Sequence, residues 1–501
     1  MMPLPRRAGG PRVVIVGGGI AGLTVAHALR ARVPDLDLVV LEASDRPGGC
    51  IRSDRLDGYL CENGPDGFLD SAPATLALVA DVGLSSSLRP SRDEARRRFI
   101  FRHHRLHEVP TTAFGFASTG LLSPAAKLRV LAEPLSSRAP GRDMSILRFA
   151  ERHIGKEAAA VLVGSMVSGI FAGDASQLSL RSCFPKMHEM EEQYGSLVRA
   201  FLAKRAANKH GKTGTEEHGH APMAAPGEPA GRLTSFDDGM EALVRATAAS
   251  LGALVRTNHR VTDLRVRVSM TRSAPRLVAA RTFSVVCGGQ PIEADAVVLA
   301  GPAGKSADLV RPFAPDATSR LGAIETAPLA VACLGYDAAA LAAERGPLNG
   351  FGFLVPRGEG PRILGALWET SIYEGRAPAG KALLRVMIGG ARDPLAVELD
   401  DTTLVRIVRR DLELTMRLRL RPEFVHLVRH RRGIPQYTVG HATRLERIER
   451  ALAACPGLFL AGNSYRGVSV NACIEDAQRV AAQVVAHLAS AGQQAEYAGA
   501  V

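Results

Sequence analysis

A doubly wound α/β domain, assembled from separated stretches of the chain and carrying α+β insertions, is the fold this sequence predicts. Three observations predict it. An apolar run, Val13-Val14-Ile15-Val16, stops at Gly17-Gly18-Gly19 and is followed by Gly22. A second apolar run, Leu38-Val39-Val40-Leu41, ends at Glu42, twenty residues beyond Gly22. Near the other end, Leu458-Phe459-Leu460-Ala461-Gly462-Asn463 again runs from strand into a glycine turn before Gly467 to Glu475 opens a final helix.

A short β-branched run reads as a strand buried on both faces, and Gly-x-Gly-x-x-Gly after it forms the turn that receives a dinucleotide. Gly17 permits the tight turn and Gly19 lets the backbone approach a pyrophosphate at the helix N-terminus. Gly22 lets the helix pack closely on the strand. The stretch Leu23 to Leu29 reads as an amphipathic continuation of that helix. Glu42 stands where a carboxylate can accept hydrogen bonds from ribose hydroxyls. Next comes Ala43-Ser44-Asp45-Arg46-Pro47-Gly48-Gly49-Cys50, an Arg-x-Gly-Gly turn that nicotinamide binding does not require. By itself Arg46 reads equally as a solvated arginine beside a Pro-Gly turn.

From residue 91 the pattern changes. Phe99 to Phe101 and Leu106 to Val109 suggest a hairpin with His103, His104 and His107 at its tip, read as a solvated turn, and a helical insertion follows to residue 205. Within it, Ala113 to Leu135 reads as an amphipathic stretch suited either to a membrane surface or to a core, and Ala158 to Gly173 as a buried helix too short to span a bilayer. Residues 206–232 are low in complexity and read as a loop, with His210, His218 and His220 solvated. The α/β pattern returns with a helix near Met240 to Ser250. Strands follow at Ala253 to Arg256 and Val261 to Val266, and a buried strand at Asp295 to Ala300. The nucleotide domain is therefore expected over 10–90, 233–305 and 433–490, with a second insertion over 306–432 carrying strands at Phe351 to Pro356, Ile363 to Leu367 and Leu383 to Ile388.

The chain has 62 Lys and Arg against 50 Asp and Glu, a formal charge of +12. The basic residues are scattered in short clusters, so an acidic small substrate and an anionic lipid surface are favoured over nucleic acid. Seven cysteines without a Cys-x-x-Cys pair suggest a reducing compartment, no metal site and a cytoplasmic location. The first strand begins too early for an apolar export signal. No Gly-x-Ser-x-Gly, His-Glu-x-x-His or Walker lysine is present, which removes the usual signatures of hydrolysis and phosphoryl transfer.

Arg46 and its glycine pair resemble the FAD-dependent amine oxidase and protoporphyrinogen oxidase superfamily, in which such a turn continues the FAD site. Further segments resemble its protoporphyrinogen oxidase branch. These are Phe171-Ala172-Gly173-Asp174, Leu178 to Pro185, Gly350 to Pro356, Gly433-Ile434-Pro435-Gln436-Tyr437 with Gly440-His441, and Ala461 to Tyr465. The resemblance covers about residues 10 to 490 and implies a discontinuous Rossmann-like FAD-binding domain, a mixed-sheet substrate-binding domain and a helical membrane-associating insertion. It implies oxidation of protoporphyrinogen IX to protoporphyrin IX in three two-electron steps. Hydride would pass to flavin, and molecular oxygen would be reduced to hydrogen peroxide. It also implies peripheral contact with the inner face of the cell membrane, or the mitochondrial inner membrane in a eukaryote, hand-off of product to ferrochelatase, and a homodimer.

The FAD contacts the resemblance implies are Gly17, Gly18, Gly19, Ile20, Ala21, Gly22, Glu42, Ala43, Arg46, Gly49 and Cys50 in the first stretch. Gly64, Pro65, Asp66, Gly67, Val261, Gly462, Val468, Ser469 and Val470 follow. The final helix would aim its N-terminus at the flavin ring and stabilise negative charge there. For the substrate, Arg98 matches an arginine that pairs with a propionate, Phe351, Leu354 and Met387 match a clamp around the tetrapyrrole, and Gly169 matches a glycine whose carbonyl faces the pyrrole nitrogens. Phe351, Phe353 and Val355 also read as alternating core, and Gly169 as a close helix contact. Asp66 stands where relatives carry asparagine or arginine, and Ala472 where an aspartate is frequent. An anion near the flavin opposes its reduction unless paired or neutralised, so neither is given a catalytic role. A coproporphyrinogen III oxidase, an FAD amine oxidase or carotenoid desaturase, and a flavin-dependent porphyrin carrier without turnover remain the competing readings.

Overall fold

The structure, a computed structural model, describes residues 10–136, 141, 143–196, 198 and 199, 231–273 and 276–499. Five parallel strands form the first sheet, in the order Val255–Arg256, Asp37–Leu41, Arg12–Val16, Ala296–Leu299 and Leu458–Leu460. Alternation along the central strand explains the uninterrupted apolar run. Val13 and Ile15 pack with Leu23, Leu243 and Ile474 of the helices Ile20–Arg32, Glu241–Leu251 and Val470–Gly499. Val14 points the other way, into a cluster with Phe283 and Val285 of an antiparallel layer. Val261–Ser273, Arg276–Cys287 and Gln290–Ala294 build that layer.

The helix after the glycines differs from its sequence reading. Ile20 to Ala26, with Ala28 and Leu29, are all buried, so the helix is enclosed rather than amphipathic. The terminal helix packs along the side that would otherwise meet water.

The second sheet has seven strands, ordered Phe424–Pro435, Thr326–Asp337, Lys381–Gly389, Ile363–Trp368, Gly352–Leu354, Arg98–Arg102 and Arg105–Glu108. One face buries Phe101, Phe353, Trp368 and Leu384 against Leu404, Val408 and Leu412 of the helix Asp401–Met416. The hairpin that the sequence places at the start of the helical insertion is thus part of this sheet, because Gly352–Leu354 pairs in parallel with Arg98–Arg102. Its strand faces differ accordingly: Phe101 joins the sheet core, while Ile100 packs on Leu121, Leu122 and Ala158 of the insertion.

The stretch Ala113 to Leu135 is not one helix. It breaks into Ala113–Ser118 and Pro124–Leu131, since Ser123 Oγ caps the second helix by accepting from the Ala126 amide at 3.2 Å and Pro124 occupies its first turn. Among the described residues no helix is long and apolar enough to cross a membrane. His103 and His104 take left-handed backbone conformations at the hairpin tip, with φ of 51° and 61°. His210, His218 and His220 lie outside the described residues.

Candidate functional site

The glycine turn stands at the carboxyl end of the central strand. Gly17 has φ +113°, and its amide donates to the Leu41 carbonyl at 2.9 Å, closing the turn between the two strands. A Cβ on Gly22 would lie 2.0 Å from the Gly17 carbonyl oxygen, so the helix can sit this close to the turn only without a side chain. A Cβ on Gly19 would meet nothing within 4 Å. That open space lies at the N-terminus of a helix whose cap residue offers no side-chain acceptor, which leaves amide donors for an anion. Ile20 and Ala21 form the buried first turn behind it.

Glu42 binds the pieces together. One of its oxygens accepts from the Gly18 amide at 2.7 Å, and the other accepts from the Ser44 amide at 2.8 Å and hydroxyl at 2.7 Å. A carboxylate offers about four acceptor positions, so one stays open for a hydroxyl. The Glu42 carbonyl accepts from His259 at 2.7 Å, two residues before Val261. Ala43 is half-buried beside it.

Arg46 acts on its own loop. Its guanidinium donates to the carbonyls of Pro47, Gly49 and Ile51 at 3.1, 3.0 and 3.2 Å. Gly48 in turn donates to Gly18 at 2.8 Å, which sets the exposed Gly49 and Cys50 beside Gly19. The segment Gly64 to Gly67 lies behind: a Cβ on Gly64 would come within 2.2 Å of the Cys50 carbonyl. Pro65 and Gly67 are half-buried and Asp66 is buried.

The carboxyl-terminal half reaches the same place. Gly462, with φ +115°, stands beside Ala21, where a Cβ would be 3.7 Å from the Ala21 methyl. Val470 opens the terminal helix, Ser469 Oγ accepts from the Ala472 amide at 3.2 Å, and Val468 packs against the insertion near Phe171. Tyr437 holds this loop. Its hydroxyl donates to the Asn463 carbonyl at 2.5 Å and accepts from the Gly467 amide at 2.8 Å. His441 stacks on its ring at 4.1 Å between centroids, with Nε2 against the Tyr465 carbonyl at 3.0 Å. Burial pushes His441 down to about 4, so it is neutral here. The open cradle at Gly19, the available amides and the remaining acceptor of Glu42 fit a dinucleotide such as FAD.

The second sheet and the insertion meet along a seam. Leu354, Gly365 and Met387 face one another across three neighbouring strands, so Leu354 and Met387 share a sheet face with a glycine between them. Gly169, on the helix Ser165–Phe171, closes over Leu354: a Cβ there would be 2.8 Å from Leu354 Cδ2. Phe351 breaks the strand alternation, because Gly352 beside it takes φ +131°. It therefore packs with Met387, Leu367 and Tyr373, while Phe353 and Val355 are core. The Arg98 guanidinium lies over the Phe351 ring, 5.3 Å from its centroid. All five residues that the sequence assigns to substrate are thus gathered along one seam.

Sequence reasoning missed the group behind the seam. Glu62, Asp66, Glu369, Tyr373, Arg376 and Arg385 are all buried between the Gly64–Gly67 segment and the second sheet. Only the departure at Asp66 signalled it.

The model of flavin-containing amine oxidoreductases matches residues 20–485 of the chain. A chloroplastic protoporphyrinogen oxidase of Oryza sativa subsp. japonica is 33% identical over 95% of this chain and 88% of its own length. The coproporphyrinogen III oxidase of Bacillus subtilis is 28% identical over 96% of this chain and 99% of its own. A solved structure described as a candidate protoporphyrinogen oxidase, from Exiguobacterium sp. 255-15, superposes with a TM-score of 0.77 at 26% identity, covering 95% and 99% of the two chains.

Proposed function

Because the chain belongs to the flavin-containing amine oxidoreductase family and is an FAD-dependent oxidoreductase, we propose that it oxidises protoporphyrinogen IX to protoporphyrin IX in three two-electron steps. The observation that carries this reading is the seam: Leu354 and Met387 share a sheet face on either side of Gly365, Gly169 packs on Leu354, and Arg98 lies over Phe351. Apolar side chains of this kind suit a flat macrocycle, and a guanidinium fork suits its propionate. FAD, when bound, would supply the acceptor for the two electrons of each oxidation, and molecular oxygen, taking these with two protons, would be reduced to hydrogen peroxide. The residues of the seam would orient the ring and exclude water.

Coproporphyrinogen III is the second reading, favoured by the match over nearly the whole Bacillus subtilis enzyme. Its extra carboxylates need extra cations. Around the hairpin, however, Arg97 pairs with Glu108 at 2.8 Å and Arg102 with Glu157 at 2.9 Å, which supports the substrate with fewer carboxylates. The insertion also exposes Phe114, Leu128, Leu131 and Leu135, and this apolar surface supports peripheral docking on a membrane.

Arg98→Ala in the FAD-loaded enzyme is expected to raise KM for protoporphyrinogen IX about tenfold or more with kcat little changed, since a charge-assisted contact made equally in ground and transition states is lost. An unchanged KM rejects the role of Arg98. Faster turnover of coproporphyrinogen III by the unaltered enzyme would select the second reading.

A further inference from the structure

The buried group behind the seam contains three carboxyls and two guanidiniums, and its hydrogen-bond donors are unevenly distributed. Glu62 accepts from Arg376 at 3.2 Å, from the Ser53 hydroxyl at 2.7 Å and from the Met240 amide at 2.8 Å. Arg376 also donates to the Ser235 hydroxyl at 2.7 Å, and Arg385 donates to the Gly64 carbonyl. Both oxygens of Asp66 and both of Glu369 receive no hydrogen bond. Yet the two carboxyls lie within hydrogen-bonding reach of each other, with Asp66 only 9% exposed and Glu369 1%.

Two ionised carboxyls facing each other in a dry interior repel, and neither would have a donor to compensate its lost water. A single proton between them removes both costs. It also balances the charge, since three carboxylates against two guanidiniums leave one negative charge and one proton cancels it. Glu62 is the poorer home for that proton because three donors support its ionised form. Burial pushes Glu62 up to about 7, opposed by Arg376 and Ser53. Burial, then Asp66, raises Glu369 well above the ordinary carboxylate range. Tyr373 and Cys333 nearby are neutral: burial and Asp66 push the Tyr373 hydroxyl up, and a hydrogen bond with Cys61 followed by burial pushes up the Cys333 thiol opposite Arg385.

Tyr373 locates the pair. Its ring packs in one cluster with Phe351 and Met387, and its hydroxyl lies so close to Gly67 that a Cβ there would come within 2.6 Å. The pair therefore stands where the Gly64–Gly67 segment meets the side chains of Phe351 and Met387 through Tyr373.

We propose that Glu369 keeps its proton at neutral pH and donates it to Asp66, and that the two act as positioning residues which set the electrostatic field at the flavin. Loss of the proton leaves one uncompensated negative charge that opposes the gain of electrons nearby. This rests on the chain holding FAD, and is independent of which porphyrinogen it oxidises.

The test is the flavin midpoint potential of the holoenzyme as a function of pH, with no substrate present. The unaltered protein should show an additional fall in potential where the pair loses its proton. Glu369→Gln, neutral at every pH, should lose that fall. Asp66→Asn, which supplies Glu369 with a donor and removes its like charge, should move it to lower pH. Both variants following the unaltered potential at every pH would overturn the proposal. Infrared spectra of the unaltered holoenzyme give a check that needs no variant. A buried protonated-carboxyl stretch should persist at about pH 8, well above ordinary carboxylate titration, and its absence would also overturn the proposal.

Discussion

Gly19 and Gly22 lie three residues apart and lack side chains for different reasons. Gly19 has φ −74°, which any residue adopts, and a Cβ there stands in open space. Gly19→Ala should leave the stability of the flavin-free protein within about 0.5 kcal/mol yet weaken FAD binding about tenfold or more, because the methyl occupies the pyrophosphate's place. Gly22→Ala forces a methyl into the Gly17 carbonyl and should destabilise even the flavin-free protein by roughly 1–3 kcal/mol or more. Melting curves with and without FAD check both; equal effects on the flavin-free protein would contradict the assignment. These glycines and Glu42 are legible in sequence because their contacts are local and their spacing is fixed by the turn. The group around Asp66 is not. Glu62 and Arg376 are 314 residues apart, and no spacing rule connects them. Tyr437 was legible only as part of a resembling motif, since its hydroxyl bridges a loop 26 to 30 residues away.

At the level of elements, periodicity found the apolar content of Ala113 to Leu135 but not its two caps, and these make the difference. Two short helices present Phe114, Leu128, Leu131 and then Leu135 to solvent, at 84, 68, 67 and 87% exposure. They do so while Phe116, Ala126 and Val130 pack inward. Replacing Phe114, Leu128 and Leu131 together by serine should abolish flotation with anionic vesicles without loss of FAD. Unchanged flotation would remove the docking role. The enclosed helix Ile20–Arg32 shows the converse limit. Its partner is the terminal helix, so no local pattern could reveal that its second side is covered. The hairpin at Arg98 was recognisable as a hairpin, but its sheet was not, because its parallel partner Gly352–Leu354 is about 250 residues away.

Across the whole molecule, the two sheets have separate duties. The parallel sheet ends in the glycine cradle, with Gly462 from the carboxyl-terminal half standing beside Ala21 from the first helix. The seven-stranded sheet supplies Leu354, Met387 and Arg98, and the insertion packs on it through Gly169. In the proposed reading the glycine cradle holds the cofactor and the seam between the second sheet and the insertion holds the substrate, so the reaction requires both at once. Anaerobic mixing of the FAD-loaded enzyme with protoporphyrinogen IX tests that union most directly. The account predicts bleaching of the flavin absorbance as electrons leave the porphyrinogen, followed on admitting air by porphyrin fluorescence and hydrogen peroxide. A fully FAD-loaded protein whose absorbance is unchanged by protoporphyrinogen IX and coproporphyrinogen III alike would contradict it.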